Sequence, residues 1–367
     1  MNRPFLYVIV AVLFFSVTVV SCDKDVNVND VTLNITDITL FVGDKLTLTA
    51  TVQPDNATDK TVTWTSSDYA IADVDYNGNV TAIAEGTAII TAKSGNETAN
   101  CTINVEPIAV TEIRLRNALA LSIGEDYTLM ATVIPDNAAD KTVTWTSSDY
   151  AIVDVDTNGK VTAVTDGTAI ITAKSGNETA TCTVSIGIRI NGIIWAIRNV
   201  AAPGTFAAKP EEAGMFYQWN RKVGWSVTYP MINSNGDANW DSSVPEGDRW
   251  EKTNDPSPFG WRVPDWSEIY KLYDWNNVYS EWITENGIIG KKFSDKATGN
   301  SIFLPAAGLR AHNNDGSLYN VGINGCYWSS SAFFDDKVYS RCLVFFDDYY
   351  QFQSWRGAGQ SIRCVAE

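Results

Sequence analysis

The chain has 367 residues, 45% of them hydrophobic and 19% charged, with 25 Gly and 12 Pro; this excludes a disordered, collagenous or multi-span membrane protein, and at roughly 150 residues per domain it implies two or three domains. The net charge of −16 is uneven, because residues 1–187 hold 10 Lys+Arg against 23 Asp+Glu whereas residues 188–367 hold 17 against 20. An acidic surface with no basic stripe repels phosphate backbones, so nucleic acid is excluded as a partner.

Phe5 to Val20 is an apolar run behind a single basic residue, Arg3, the layout of a secretory signal and short for a membrane span. Residues 1–21 are therefore expected to be a signal peptide. The run ends Val19-Val20-Ser21-Cys22, which resembles the bacterial lipobox, and this makes Cys22 the expected lipidation site. Several acyl chains at about 0.8 kcal/mol per buried methylene hold a protein on a bilayer where a single chain is marginal. Asp23-Lys24-Asp25 follows and resembles the signal that sends Bacteroidetes lipoproteins to the outer face of the outer membrane. Residues 22–29 thus read as a lipidated cysteine and linker, and the expected location is the outer membrane, lipid-anchored and exposed at the surface.

Next comes an internal repeat with an offset of 81 residues: Asp59 to Cys101 and Asp140 to Cys182 match at 36 of 43 positions. Apolar residues alternate within each copy, as in Leu46, Leu48, Ala50 and Val52 or in Ala88, Ile90 and Ala92. Period two over short runs, punctuated by Gly, Asn, Asp and Pro, predicts antiparallel β-sandwiches at 30–107 and 108–187. Gly43, Pro54, the Trp64-Thr65-Ser66-Ser67-Asp68 run, Asn77-Gly78 and Gly86-Thr87-Ala88 resemble the bacterial Ig-like group 2 family, which implies spacer modules of a surface protein. Asp73 to Gly78 and Asp154 to Gly159 look like the opening of a calcium loop, but the twelfth position is Ala84 in one and Thr165 in the other, so no metal is expected. Asn-Gly there predicts a type I′ hairpin turn with two positive-φ residues. Cys101 and Cys182 are expected to be buried core thiols.

Composition changes at residue 188: 11 of 13 Trp, 10 of 15 Tyr and 10 of 14 Phe lie in residues 188–367. Asp265 with Glu268 forms a capping-box pattern before Trp266, Ile269, Leu272 and Tyr273 at helical spacing. A short helix against irregular strands predicts an α+β domain. The landmarks Trp195 to Val200, Gly260 to Pro264, Phe303 to Gly308, Tyr327 to Ser331 and Ile362 to Val365 resemble the Fibrobacter succinogenes major paralogous domain, which implies a C-type-lectin-like fold on a secreted or surface protein. The fold class is thus multidomain, two all-β Ig-like sandwiches followed by an α+β C-type-lectin-like domain over 188–367. The resemblance also implies a disulfide from the C-terminal cysteine to a position that is Ser257 here. That leaves two of Cys326, Cys342 and Cys364 to pair and one left over.

No catalytic residues and no cofactor are expected. The only histidine, His312, sits in an Asn-Asn-Asp-Gly turn, and Asp335-Asp336 and Asp347-Asp348 read as solvated acids. What remains is aromatic excess. Tyr349, Tyr350, Phe352 and Trp355 are the candidate ligand-binding residues, because Trp and Tyr left on a surface suit sugar faces or protein partners; period two sets Tyr349 against Tyr350 and Phe352, so one set belongs to the core. The expected function is a non-enzymatic cell-surface lipoprotein, an Ig-like stalk presenting a lectin-like head to a glycan or surface protein ligand. The alternative is a structural accessory or tip subunit of a fimbria-like assembly.

Cys22→Ser is expected to abolish partition into the detergent phase, since nothing else in residues 23–367 is apolar over a length that holds a bilayer; partition equal to the wild type would remove the lipobox reading.

Overall fold

The computed structural model describes residues 24–312, 315–333, 336–347 and 350–367. Cys22 and the expected signal segment lie outside the described residues, as do Tyr349, Asp335 and Asp348. The chain forms two compact units, one up to Ile108 and the other from Ala109 to Glu367.

The first unit is a sandwich. One sheet holds, in spatial order, β1 (Asp37–Phe41), β4 (Glu97–Glu106), β3 (Gly86–Ser94) and β2 (Thr63–Ser66). The facing sheet holds Lys45–Thr47, Asn79–Ala82 and Ala72–Val74. The alternation seen in the sequence is the burial pattern: Ala88, Ile90, Ala92, Cys101 and Ile103 are fully buried, while Thr87, Ile89 and Lys93 between them face out. Cys101 and its counterpart Cys182 are buried free thiols in their respective sandwich cores, and burial pushes the Cys182 thiol up to about 11.

The acidic turns differ from the expected hairpin. The Gly78 N–H donates to the Asp75 carbonyl at 3.1 Å, and Gly78 is left-handed at φ +80°; Asn77 is not among the positive-φ residues, so one left-handed residue serves where two were expected. The Asp75 carboxylate explains this. It accepts from the Asn77 and Asn79 backbone N–H groups at 2.8 and 2.9 Å and from the Asn79 amide at 2.8 Å. An Asx turn thereby fixes the bend locally, and these bonds hold the Asp75 carboxyl below the usual carboxylate range. A Cβ on Gly78 would meet the Leu48 carbonyl at 2.5 Å.

In the second unit the repeat recurs, with β5 (Ala118–Ser122), β6 (Thr144–Ser147), β7 (Gly167–Ser175) and β8 (Glu178–Ile190) in place of the first four strands. Here β8 runs on for 13 residues and crosses position 188, where the head was expected to begin. Its first part pairs with β7 and with β5, and its last three residues pair with β9 (Ile193–Trp195). The sheet then continues through β11 (Val365–Ala366) to β10 (Trp261–Arg262), so sandwich and head share one seven-stranded sheet.

The joint is dense. A Cβ on Gly187 would meet the Trp195 carbonyl oxygen at 2.2 Å, and one on Gly260 would meet Ser185 Oγ at 2.5 Å. Ser185 Oγ donates to the Gly260 carbonyl at 2.8 Å, the Trp261 indole N–H donates to Thr168 Oγ1 at 2.8 Å, and Thr168 Oγ1 donates to the Phe259 carbonyl at 3.1 Å. Arg198 pairs with Asp166, and Arg189 grips Glu125 with two hydrogen bonds. The first repeat carries Glu85, Asn104 and Glu106 where the second has Asp166, Ser185 and Gly187. The second copy has therefore changed where the head touches it.

The rest of the head holds two three-stranded and two two-stranded antiparallel sheets and one short helix, which packs against both three-stranded sheets. The helix α1 (Trp266–Tyr273) has the expected capping box: Asp265 accepts from the Glu268 N–H and Glu268 from the Asp265 N–H, while Arg262 holds the Glu268 carboxylate at 2.7 and 2.8 Å. Ile269 and Leu272 are its buried face, packed with Phe293, Leu304, Tyr327 and Phe345. It is the only α-helix among the described residues, so the chain is nearly all β. Short apolar runs and long polar connections leave little sequence that could form another helix.

Three buried arginines pin those connections. Arg310 donates to the carbonyls of Ser226, Gly316 and Thr228, each at 2.8 Å. Arg356 donates to those of Tyr339, Gly247 and Asp336, with its guanidinium 4.3 Å above the Trp219 ring. Arg363 donates to the Asn199 side chain and to the Ala196 and Phe303 carbonyls; burial pushes it down to about 10, so it stays a cation at neutral pH.

Gly187→Glu, which restores the side chain of the first repeat, is expected to cost about 3 kcal/mol or more through overpacking. The reverse change Glu106→Gly at an exposed strand end should cost at most about 1 kcal/mol. Thermal melting followed by tryptophan fluorescence compares the two, and an unperturbed Gly187→Glu would show that the joint is loose.

Candidate functional site: an apolar cleft in the head

The C-terminal aromatics proposed from sequence separate into two environments. On β12 (Val278–Glu285), β13 (Ile288–Asp295) and β14 (Ser301–Pro305) lies one sheet; β15 (Gly325–Ala332), β16 (Tyr339–Phe345) and β17 (Tyr350–Trp355) form the other. Tyr350 and Phe352 point from β17 toward α1. Tyr350 is half-buried, its hydroxyl 2.8 Å from Ser280 Oγ and its ring 4.5 Å from Tyr273. Phe352 lies edge-on to Tyr273 at 5.0 Å and to Trp266 at 5.4 Å. Trp355 is the exposed member, stacked flat on His312 at 4.4 Å with Tyr339 beside it at 4.6 Å. Tyr349 lies outside the described residues, so the four are not seen as one platform.

Cys326, Cys342 and Cys364, from which one pair was expected, are each buried free thiols. Cys364 Sγ donates to Ser257 Oγ at 3.1 Å. Burial raises all three thiols well above their ordinary range, which keeps them protonated and unreactive. Among the described residues no three His, Cys, Asp or Glu side chains gather as a metal-ligating group.

One concavity of the head was not foreseen from sequence. It is a cleft of about 680 Å³, within the range of small-molecule sites. Its floor is small and apolar, with Ala207, Ala306 and Ala307 buried, and Ile288, Ile289 and Val321 form an exposed rim. Local backbone chemistry shapes it. The turn between β12 and β13 is Asn286-Gly287, both left-handed at φ +50° and +83°, as a type I′ hairpin requires; it projects Ile288 and Ile289. The Ala306 N–H donates to the Ile289 carbonyl at 2.9 Å and the Gly322 N–H to the Ala306 carbonyl at 2.7 Å, which fixes floor to wall. Gly214, also in the lining, is left-handed, and a Cβ there would meet the Val200 carbonyl at 2.1 Å.

The charged side chains lining the cleft are acidic. Glu211 is only 7% exposed and accepts one hydrogen bond from the Asn286 amide at 3.1 Å. Glu212 accepts from the Ala208 N–H at 3.0 Å. Among the described residues no lysine or arginine lines the cleft. Its lining is mostly Ala, Gly, Ile, Val and Pro from segments far apart in the sequence, which carry no periodicity; the one signal was the Pro305-Ala306-Ala307-Gly308 landmark.

Against this geometry, the comparisons with known proteins concern the repeats. Residues 27–103 and 109–184 are two bacterial Ig-like domains of group 2. An uncharacterised protein of Clostridium acetobutylicum is 39% identical over 162 residues, 42% of this chain and 17% of that protein. An Ig-like virion protein of Serratia phage KSP90 is 41% identical over 154 residues, 40% of this chain and 60% of that protein. The chain therefore spans less than two thirds of either relative. Domains 4 and 5 of the S-layer protein SbsC, a solved structure, are 22% identical with a TM-score of 0.25, covering 44% of this chain and 99% of that one.

The group 2 Ig-like domains end near Val184, a few residues short of the point where β8 passes into the head. Cleft and exposed tryptophan both belong to the part beyond them.

Phe352→Ala is expected to lower stability by about 2 to 3 kcal/mol, less than a fully buried phenylalanine because it is half-exposed, whereas Trp355→Ala should leave the melting temperature within a few degrees. Melting curves of the two variants decide it: equal losses would place Trp355 in the packed core.

Proposed function

We propose that the chain is a non-enzymatic cell-surface lipoprotein, anchored through Cys22 on the outer membrane, in which the Ig-like modules carry a C-type-lectin-like head that binds a glycan or surface protein ligand. The observation that carries this reading is the preformed cleft, with its exposed aliphatic rim, on a head joined to its neighbouring Ig-like module through a shared sheet. A ligand-binding element held this way loses little orientational freedom on binding.

Several observations support the parts. The proximity of Ser257 and Cys364 supports the lectin-like resemblance, whose disulfide would join these positions. The family landmarks serve as structure, Gly260 at the joint and Arg363 among the carbonyls. The non-enzymatic reading is supported by His312, the single histidine, which stacks on Trp355 and does not line the cleft. Among the described residues no helix is long and apolar enough to cross a membrane.

A structural role in a surface assembly is the second reading, favoured by the 41% identity to an Ig-like virion protein. A glycan array probed with residues 23–367 separates the two. Saturable binding to a defined glycan, weakened at least tenfold by Trp355→Ala or by a substitution in the cleft, is the expected result. A silent array together with cross-linking of the chain into a polymeric surface structure would favour the assembly instead.

A further inference from the structure

The unusual group in the cleft is Glu211. A carboxylate in an apolar setting is costly to bury unless hydrogen bonds and a counter-charge offset its lost hydration. Glu211 is 7% exposed, and its hydrogen-bond partner among the described residues is a single amide, that of Asn286. None of the ion pairs formed by the described residues includes it. It lines a cleft whose other acidic side chain is Glu212, whose floor is alanine and whose rim is Ile288, Ile289 and Val321. The site is therefore acidic on the side of Glu211 and Glu212, carries the neutral hydroxyl of Thr228, and is apolar elsewhere.

We propose that this cleft binds a primary amine on an aliphatic stem, with the ammonium at Glu211 and the stem along the alanine floor beneath Ile289. The proposal rests on the reading of the head as a ligand-binding domain and narrows it to this chemistry. An alkylammonium supplies the counter-charge that Glu211 lacks, and a charge-assisted bond in a desolvated site is stronger than one between neutral groups. Its methylenes cover floor and rim and so leave water for an apolar surface. Carboxylate, phosphate and sulfate ligands are excluded by the two glutamates. The amine can come from a lysine side chain of a partner protein or from a free alkyl diamine, and both present the same chemistry.

The test uses the whole chain from residue 23 and calorimetric or NMR titration with hexylamine, hexanol and hexanoate. Hexylamine should bind at least tenfold more tightly than hexanol, hexanoate should not bind, and Glu211→Gln should reduce hexylamine to the level of hexanol. Ile289→Lys, at an exposed rim position, places an ammonium in the cleft and should compete the amine away; this variant keeps the test valid should Glu211→Gln fold poorly. Comparing cadaverine with an Nα-acetyl-lysine amide then separates the free diamine from the lysine side chain. Equal affinity for hexylamine and hexanol, an amine preference that survives both substitutions, or no binding by any probe overturns the proposal. A glycan bound on the array while the cleft stays silent would leave the ligand-binding reading standing; silence in both would remove both.

Discussion

Everything beyond the second repeat depends on one strand having no room beside it. β8 leaves the sandwich as its core strand and enters the head as a sheet strand without a turn between. This is possible only because Gly187 lets the Trp195 backbone close in, and because Gly260 brings the Gly260-Trp261 corner down on Ser185 and Thr168. In the first repeat the equivalent positions carry Glu106 and Asn104. Side chains of that size would hold such a corner off, so near-identical sandwiches differ in which can carry a head. A flexible linker would have left the head free to reorient; a shared ladder of hydrogen bonds does not.

Within the head, a second constraint follows from how little regular structure it has. Long connections leave many backbone carbonyls without a strand partner, and a buried carbonyl must be satisfied. Arg310, Arg356 and Arg363 do this by donating to carbonyls from segments far apart in sequence. The guanidinium suits this role because its planar fork offers five donors and it remains charged even when burial lowers its pKa, as at Arg363. Part of the aromatic excess is core: Trp195, Trp219 and Trp328 are fully buried.

This explains what was legible in the sequence. The sandwiches were legible because period-two burial is written directly in residues such as Ala88, Ile90 and Ala92, and α1 because Asp265 and Glu268 form its capping box. The joint was not legible, since Gly187 looks like a domain boundary until the close approach of Trp195 is seen. The aromatic count pointed toward β17 as a binding surface, yet Tyr350 and Phe352 are spent largely on α1. The cleft left almost no trace, because a cavity is made by residues that are small, and Ala306 and Ala307 look like ordinary packing.

The cleft owes its shape to the same economy. Its floor is fixed by backbone hydrogen bonds from Ala306 and Gly322, and its rim by the Asn286-Gly287 turn. Asn286 thereby serves twice, since its backbone makes the turn that projects Ile288 and Ile289 while its amide holds Glu211. The position of the carboxylate and the position of the aliphatic wall are thus set by one residue. A site whose charge and apolar surface are tied to the same turn keeps its spacing when the rest of the loop drifts, and a fixed spacing between charge and apolar surface is what distinguishes an ammonium on a stem from an ammonium alone.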